Sequence, residues 1–147
     1  MNKKIFCISA FLIFILLLSS CTSGLPTEPE ILTDKELVIE AIENFCSALS
    51  AKEWDLARSY CVYQAYTYNA IFKLEMDVND WLSSECDSIT IIYWADISNV
   101  DIDGDNAVAY GYLTDIIICD NNNEEEDKSK DVTISLKKIG ERWKIYQ

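Results

Sequence analysis

The most restrictive feature of this chain is a change of hydrophobic period at Ser88. Before it, apolar residues recur at helical spacing. Val38, Ala41, Ile42, Phe45 and Leu49 form one stripe, with Glu36, Glu40, Glu43 and Lys52 largely off it. After it, β-branched and aromatic residues dominate, beginning with Ile89, Thr90, Ile91, Ile92, Tyr93 and Trp94. A chain that places its helices first and its strands second does not read as alternating βαβ units. The expected class is α+β, with N-terminal helices packed on a curved antiparallel meander.

The helical half begins at Thr33, where Thr33-x-x-Glu36 is a capping box and Asp34 and Glu36 suit the helix dipole. The spacing predicts a first helix to about Ala51 and a second near Glu53 to Tyr60, joined tightly enough to be antiparallel. Val62 to Cys86, with Tyr63, Tyr66, Tyr68, Phe72, Met76, Trp81 and Leu82, reads as one or two further helices. In the strand half, a first strand runs from Ser88 through a bend to Ile102, and Asp103-Gly104 marks a hairpin. Ala107 to Cys119 returns, and Asp120 to Asp131 reads as a solvated polar loop. Val132 to Leu136 alternates, Gly140-Glu141 turns the chain, and Trp143-Lys144-Ile145 closes a four-stranded sheet.

The N-terminal stretch has a different logic. Lys3 and Lys4 precede an apolar run of 14 residues, Ile5 to Leu18, and then Leu18-Ser19-Ser20-Cys21. As a helix the run spans about 21 Å, short of the roughly 30 Å hydrocarbon core, and its length suits a signal-peptide core. The ending resembles the lipobox of bacterial lipoprotein signal peptides. That resemblance implies a diacylglyceryl group on the Cys21 thiol, which becomes the mature N-terminus. It also implies a protein held by membrane lipid on the extracytoplasmic face of the cell membrane. The expected organisation is residues 1–20 as leader, 21–32 as lipidated cysteine and tether with Pro26 and Pro29, and 33–147 as one domain.

Composition excludes several chemistries. The net charge is −13, more negative still without Lys3 and Lys4, so nucleic acid is not an expected partner. The chain has no histidine. A Ser-His-Asp triad, a Cys-His pair and every His-ligated metal site are therefore out of reach. Neither a metal nor a cofactor is implied. Asn99-x-Asp101-x-Asp103-Gly104 opens like a calcium loop, but position 12 would be Tyr110 where a bidentate Glu is needed, and a hairpin explains the run. Consecutive like charges from Glu124 to Asp127 read as solvated.

Four cysteines remain beyond Cys7 and Cys21: Cys46, Cys61, Cys86 and Cys119. In an exported domain they suggest two disulfides among three connectivities. The expected pairs are Cys46–Cys61, between consecutive helices, and Cys86–Cys119, from the last helix to a strand; the alternative is buried free thiols, since Cys packs well as a small apolar residue.

With the elements in order, residues 33–147 resemble the nuclear transport factor 2-like superfamily, which includes the ketosteroid isomerases. The resemblance rests on Ala41-Ile42-Glu43-Asn44-Phe45, on Lys52-Glu53-Trp54-Asp55-Leu56-Ala57, and most on Val132 to Ile145 with its Gly-x-x-Trp-Lys-Ile ending. It implies a cone of helices over a curved sheet, enclosing a cavity. Two functions are then expected alternatives. One is a non-catalytic domain that binds a small ligand or an exported protein, with Tyr60, Tyr66, Trp94, Tyr110 and Tyr112 as lining candidates. The other is an isomerase or dehydratase of the ketosteroid isomerase kind, casting Asp96 or Asp115 as base and Tyr110 or Tyr112 as oxyanion partner.

Overall fold

The computed structural model describes residues 32–120 and 124–147, without the side chains of residues 124–127. The leader, Cys21, the tether up to residue 31 and the Asn121–Asn123 run lie outside the described residues. Among the described residues three helices, α1 (Asp34–Ser50), α2 (Trp54–Ser59) and α3 (Tyr66–Ser84), precede five strands: β1 (Ile89–Asp103), β2 (Asn106–Cys119), β3 (Glu124–Asp127), β4 (Lys130–Ile139) and β5 (Arg142–Ile145). Val62 to Cys86 thus yields one long helix. The sheet is antiparallel in the order β1-β2-β4-β5, with β3 also paired to β2. The α+β class and the helices-then-strands order match the sequence pattern.

The capping box forms as expected: the Glu36 amide donates to Thr33 Oγ1 at 3.3 Å, and the Thr33 amide donates to Glu36 Oε2 at 2.6 Å. The C-terminus of α1 is closed by a Schellman pattern, with the Glu53 amide bonded to Ala48 O at 2.9 Å and Lys52 in a left-handed conformation, φ 58°. This end also reaches the sheet. The Tyr93 amide donates to Ser50 Oγ at 2.8 Å, and Lys52 Nζ donates to Ile89 O at 2.6 Å.

One polar stretch departs from expectation. Asp120 to Asp131 is not all loop, since Glu124–Asp127 pairs with Ile116–Cys119. Backbone accounting explains it. β4 covers β2 only as far as Leu113, opposite Lys130, so the rest of β2 needs another partner on that side.

The bend expected in β1 is a β-bulge at Ser98. Ile97 opposes Gly111 and Asn99 opposes Tyr110, leaving Ser98 as the extra residue. The bulge changes which parity points inward: Ile89 and Ile91 are buried before it, Val100 after it. Gly111 sits where β2 passes tightly against β1. A Cβ there would lie 2.2 Å from Asp96 O and 2.9 Å from Ile97 Cα. The β1–β2 and β4–β5 turns are each two residues long, with Gly104 (φ 57°) and Gly140 (φ 65°) supplying the positive φ.

The core lies between α1, α2 and the inward face of the sheet. Val38, Ile42 and Leu136 are fully buried, with Ala57, Ala107, Ala109, Trp143 and Ile145 around them. A smaller cluster, Val78, Cys86, Ile89 and Ile91, holds the end of α3 against β1. The free edge of β5 is covered by residues 60–62: the Ile145 amide donates to Tyr60 O at 2.9 Å, and the Val62 amide to Ile145 O at 2.7 Å.

Candidate functional site

Strand alternation decides where the expected lining residues go. In β2, Ala107 and Ala109 face the core, so Tyr110 and Tyr112 point to the other face, away from the helices. In β1, Ile91 and Tyr93 pack inward and Trp94 and Asp96 outward. The five expected residues are therefore split. Tyr110, Tyr112 and Trp94, exposed at 39%, 43% and 50%, share the outer face of the sheet. Tyr60 lines a groove of about 350 Å³ between α1, α2 and the β4–β5 turn, with Glu40, Asn44, Trp143 and Lys144. Tyr66, 80% exposed, lies on the first turn of α3 beside Asn69, Ala70 and Lys73. They do not converge on one cavity between helices and sheet. The physical reason is placement: Tyr110 and Tyr112 share the parity opposite to Ala107 and Ala109, Trp94 the parity opposite to Ile91, and Tyr60 and Tyr66 belong to the helical half.

The outer-face site is a groove of about 460 Å³ lined by Asp96, Ser98, Tyr110, Gly111, Tyr112, Asp131, Val132 and Thr133. Its floor is fixed by register. Tyr112 lies directly across from Asp96 on β1 and from Asp131 on β4, and Tyr110 across from Asn99 and Thr133. Trp94, opposite Thr114, stands one position further along the same face as Asp96. Ser98, displaced by the bulge, donates its hydroxyl to Tyr110 O at 3.1 Å. Asp131, Ser98 and Thr133 were not expected here; the period-2 pattern of Val132 to Leu136 carried that signal for Thr133.

Asp115 is on the opposite face from Tyr110 and Tyr112. It lies across the ladder from Tyr93, which packs against both core clusters. The expected pairing of Asp115 with either outer tyrosine is therefore excluded by parity. Asp96 shares a face with both tyrosines, but that face is open to solvent. Asn99, Asp101 and Asp103 are strand residues, with Asn99 Nδ2 donating to Asp101 Oδ1 at 3.1 Å.

The cysteines divide. Cys86 and Cys119 form a disulfide, as expected, joining the chain just after α3 to the end of β2. Cys46 and Cys61 do not pair; both are buried free thiols, which corrects the expected Cys46–Cys61 bridge. Cys46 belongs to the core stripe of α1, and Cys61 Sγ donates to Ala57 O at 3.8 Å. Burial pushes each thiol up to about 12, so both act as small apolar residues rather than nucleophiles.

Two polar clusters are architectural, and sequence reasoning did not find them. Buried Arg58 on α2 pairs with Asp55 and with Glu75 of α3, each at 2.6 Å, and lies 4.1 Å over the Phe72 ring. At the start of α1, Asp34 accepts from Lys138 Nζ at 2.7 Å and from Trp143 Nε1 at 3.4 Å. The Lys138 hydrogen bond holds the Asp34 carboxyl below its usual range, and the Thr33 amide does the same for Glu36.

No protein-family model and no curated protein matches the chain. Solved structures do. A ketosteroid isomerase-like protein from Erwinia carotovora atroseptica superposes with a TM-score of 0.55 at 12% identity, over 77% of this chain and 92% of that one. A putative calcium/calmodulin dependent protein kinase II association domain from Xanthomonas campestris gives 0.51 at 15% identity, over 80% and 85%. A protein of unknown function with a cystatin-like fold from Nostoc punctiforme gives 0.50 at 14% identity, over 76% and 85%. At these identities the likeness concerns the fold alone: the chain has the cystatin-like, ketosteroid isomerase-like cone fold of the nuclear transport factor 2-like proteins.

Proposed function

We propose that this chain is a non-catalytic binding domain, held by lipid at Cys21 on the extracytoplasmic face of the cell membrane. Its ligand, a small molecule or an exported protein, seats in the outer-face groove. The observation that carries the reading is the cluster of exposed aromatics and carboxylates across β1, β2 and β4: Asp96, Tyr110, Tyr112 and Asp131 line one groove. Large exposed aromatics gathered on one sheet face are a recognition feature rather than a packing need. The lipid anchor is supported by the sequence of the leader, Lys3-Lys4 and Leu18-Ser19-Ser20-Cys21.

Two measurements test this. Cys21→Ala should abolish the added lipid mass and detergent partitioning; a variant unchanged in both removes the anchor. A Tyr110→Ala/Tyr112→Ala double variant should lose ligand or partner while keeping its thermal transition. Retained binding moves the site elsewhere.

A second reading is supported by Asp115, half-buried on the helix side and directly across from Tyr93. An isomerase of the ketosteroid kind needs a carboxylate and a tyrosine facing each other in such surroundings. Turnover of a β,γ-unsaturated ketone that Asp115→Asn abolishes would establish it, and absence of turnover in the parent chain would dismiss it.

A further inference from the structure

We propose that the outer-face groove takes a small organic cation, an alkylammonium or quaternary ammonium group, seated over Tyr112 between Asp96 and Asp131. The inference rests on the reading of this groove as the binding site and specifies its ligand class.

Register supplies the geometry. Tyr112 is the cross-strand neighbour of both aspartates, one on each side. With strands about 4.8 Å apart, the backbones of the two aspartates stand about 10 Å from each other with Tyr112 midway, so a cation above the tyrosine ring lies between them. The groove lining contains no lysine or arginine. Among the described residues, no ion pair neutralises Asp96 or Asp131. Their charge is therefore offered outward, in a chain already at −13.

The rings add what carboxylates alone lack. The face of an aromatic ring attracts a cation through its quadrupole and also covers the methyl or methylene groups of an organic ammonium ion. Tyr110 and Tyr112 are both exposed and both line the groove, whose volume of about 460 Å³ suits a small molecule. Anionic ligands meet two like charges. A second copy docking groove to groove would bring the same two aspartates against each other. A neutral sugar could stack on the rings but would leave both carboxylates without a counter-charge.

The test uses the isotope-labelled full-length protein in neutral detergent, with three probes followed by amide chemical shifts. Choline is the cation, 3,3-dimethylbutan-1-ol its neutral isostere, and maltose a neutral sugar. Choline should give saturable shifts at residues 96–98, 110–112 and 131–133, and its affinity should fall with added salt. Asp96→Asn and Asp131→Asn should each weaken it about threefold. Tyr112→Leu should weaken it about three- to tenfold with the rest of the spectrum unchanged. If the alcohol or maltose shifts the groove as strongly as choline, the cation class is overturned and the groove remains a binding site. If no probe shifts the groove and Tyr110→Ala/Tyr112→Ala also leaves partner capture unchanged, both readings fall. Concentration-dependent broadening of groove signals without any probe would identify a second copy as occupant and overturn the cation.

Discussion

The two faces of the sheet are made by the same strands and obey different rules. On the helix side, Ala107, Ala109, Leu136, Trp143 and Ile145 are buried and their sizes are set by what α1 and α2 leave open. On the other side, Trp94, Tyr110 and Tyr112 stand exposed beside Asp96 and Asp131. The alternation along β2 makes the contrast sharp, because small alanines point in where bulky tyrosines point out. The packed face therefore accounts for the fold, and the aromatic face carries the binding role proposed above.

The largest expected effect falls where the faces meet. Gly111→Val places a branched side chain against Asp96 O and Ile97 Cα, so β1 must move away from β2. A loss of more than about 3 kcal/mol, or no folded protein, is expected in denaturant unfolding. A variant with parent-like stability would show that the close approach at the bulge is dispensable. Next, Leu136→Ala on the packed face should cost about 2–5 kcal/mol. Tyr112→Ala on the open face should cost below about 1 kcal/mol. Equal losses in thermal melts would erase the distinction between the faces.

The disulfide sharpens the comparison from the helix side, because Cys86–Cys119 ties the exit of α3 to the sheet across a separation of 33 residues. Cys86→Ser/Cys119→Ser should cost about 3–4 kcal/mol in the chain-entropy view. Alkylation after unfolding without reductant should label Cys46 and Cys61 and spare Cys86 and Cys119. Labelling of none of the four would restore the second bridge.

The smallest effect lies at the rim of the packed face, where Lys138 and Thr33 lower Asp34 and Glu36 from 3.8 and 4.5. Carboxyls with depressed folded values stabilise fully above their unfolded values, and that contribution is lost as pH falls through the lowered ones. Acid titration should show this loss below about pH 4. Lys138→Met, by returning Asp34 toward its ordinary value, should make the dependence shallower. An identical acid limb would mean that the Asp34–Lys138 contact does not persist in solution.

Much of this architecture is legible in local pattern. The Thr33 capping box, the α1 stripe, the Gly104 and Gly140 turns and the Trp143-Lys144-Ile145 ending are short-range signals, and each matches the structure. What was illegible is relational. β3 exists because β2 outruns β4, which a run of glutamates cannot announce. The two-disulfide expectation treated the cysteines as pairs, whereas Cys46 follows the apolar period of its helix and behaves as core. The five aromatic candidates share a residue type but not a surface, and period 2 in β2 separates Ala109 from Tyr110. Arg58 was missed because its partner Glu75 belongs to another helix.

The closure of α1 has one more consequence. β1 is a border strand of the sheet, and such borders invite foreign strands to add on and grow aggregates. Its apolar beginning, Ile89 to Tyr93, would be the most adhesive stretch. There Ser50 occupies the Tyr93 amide and Lys52 the Ile89 carbonyl, so the helix end acts as a stopper against polymerisation. Beyond the bulge the guard changes: Asp101 and Asp103 bring negative charge to the strand, and an identical strand approaching would meet its own sign. The chain is thus kept from building on itself by a hydroxyl, an ammonium group and two carboxylates.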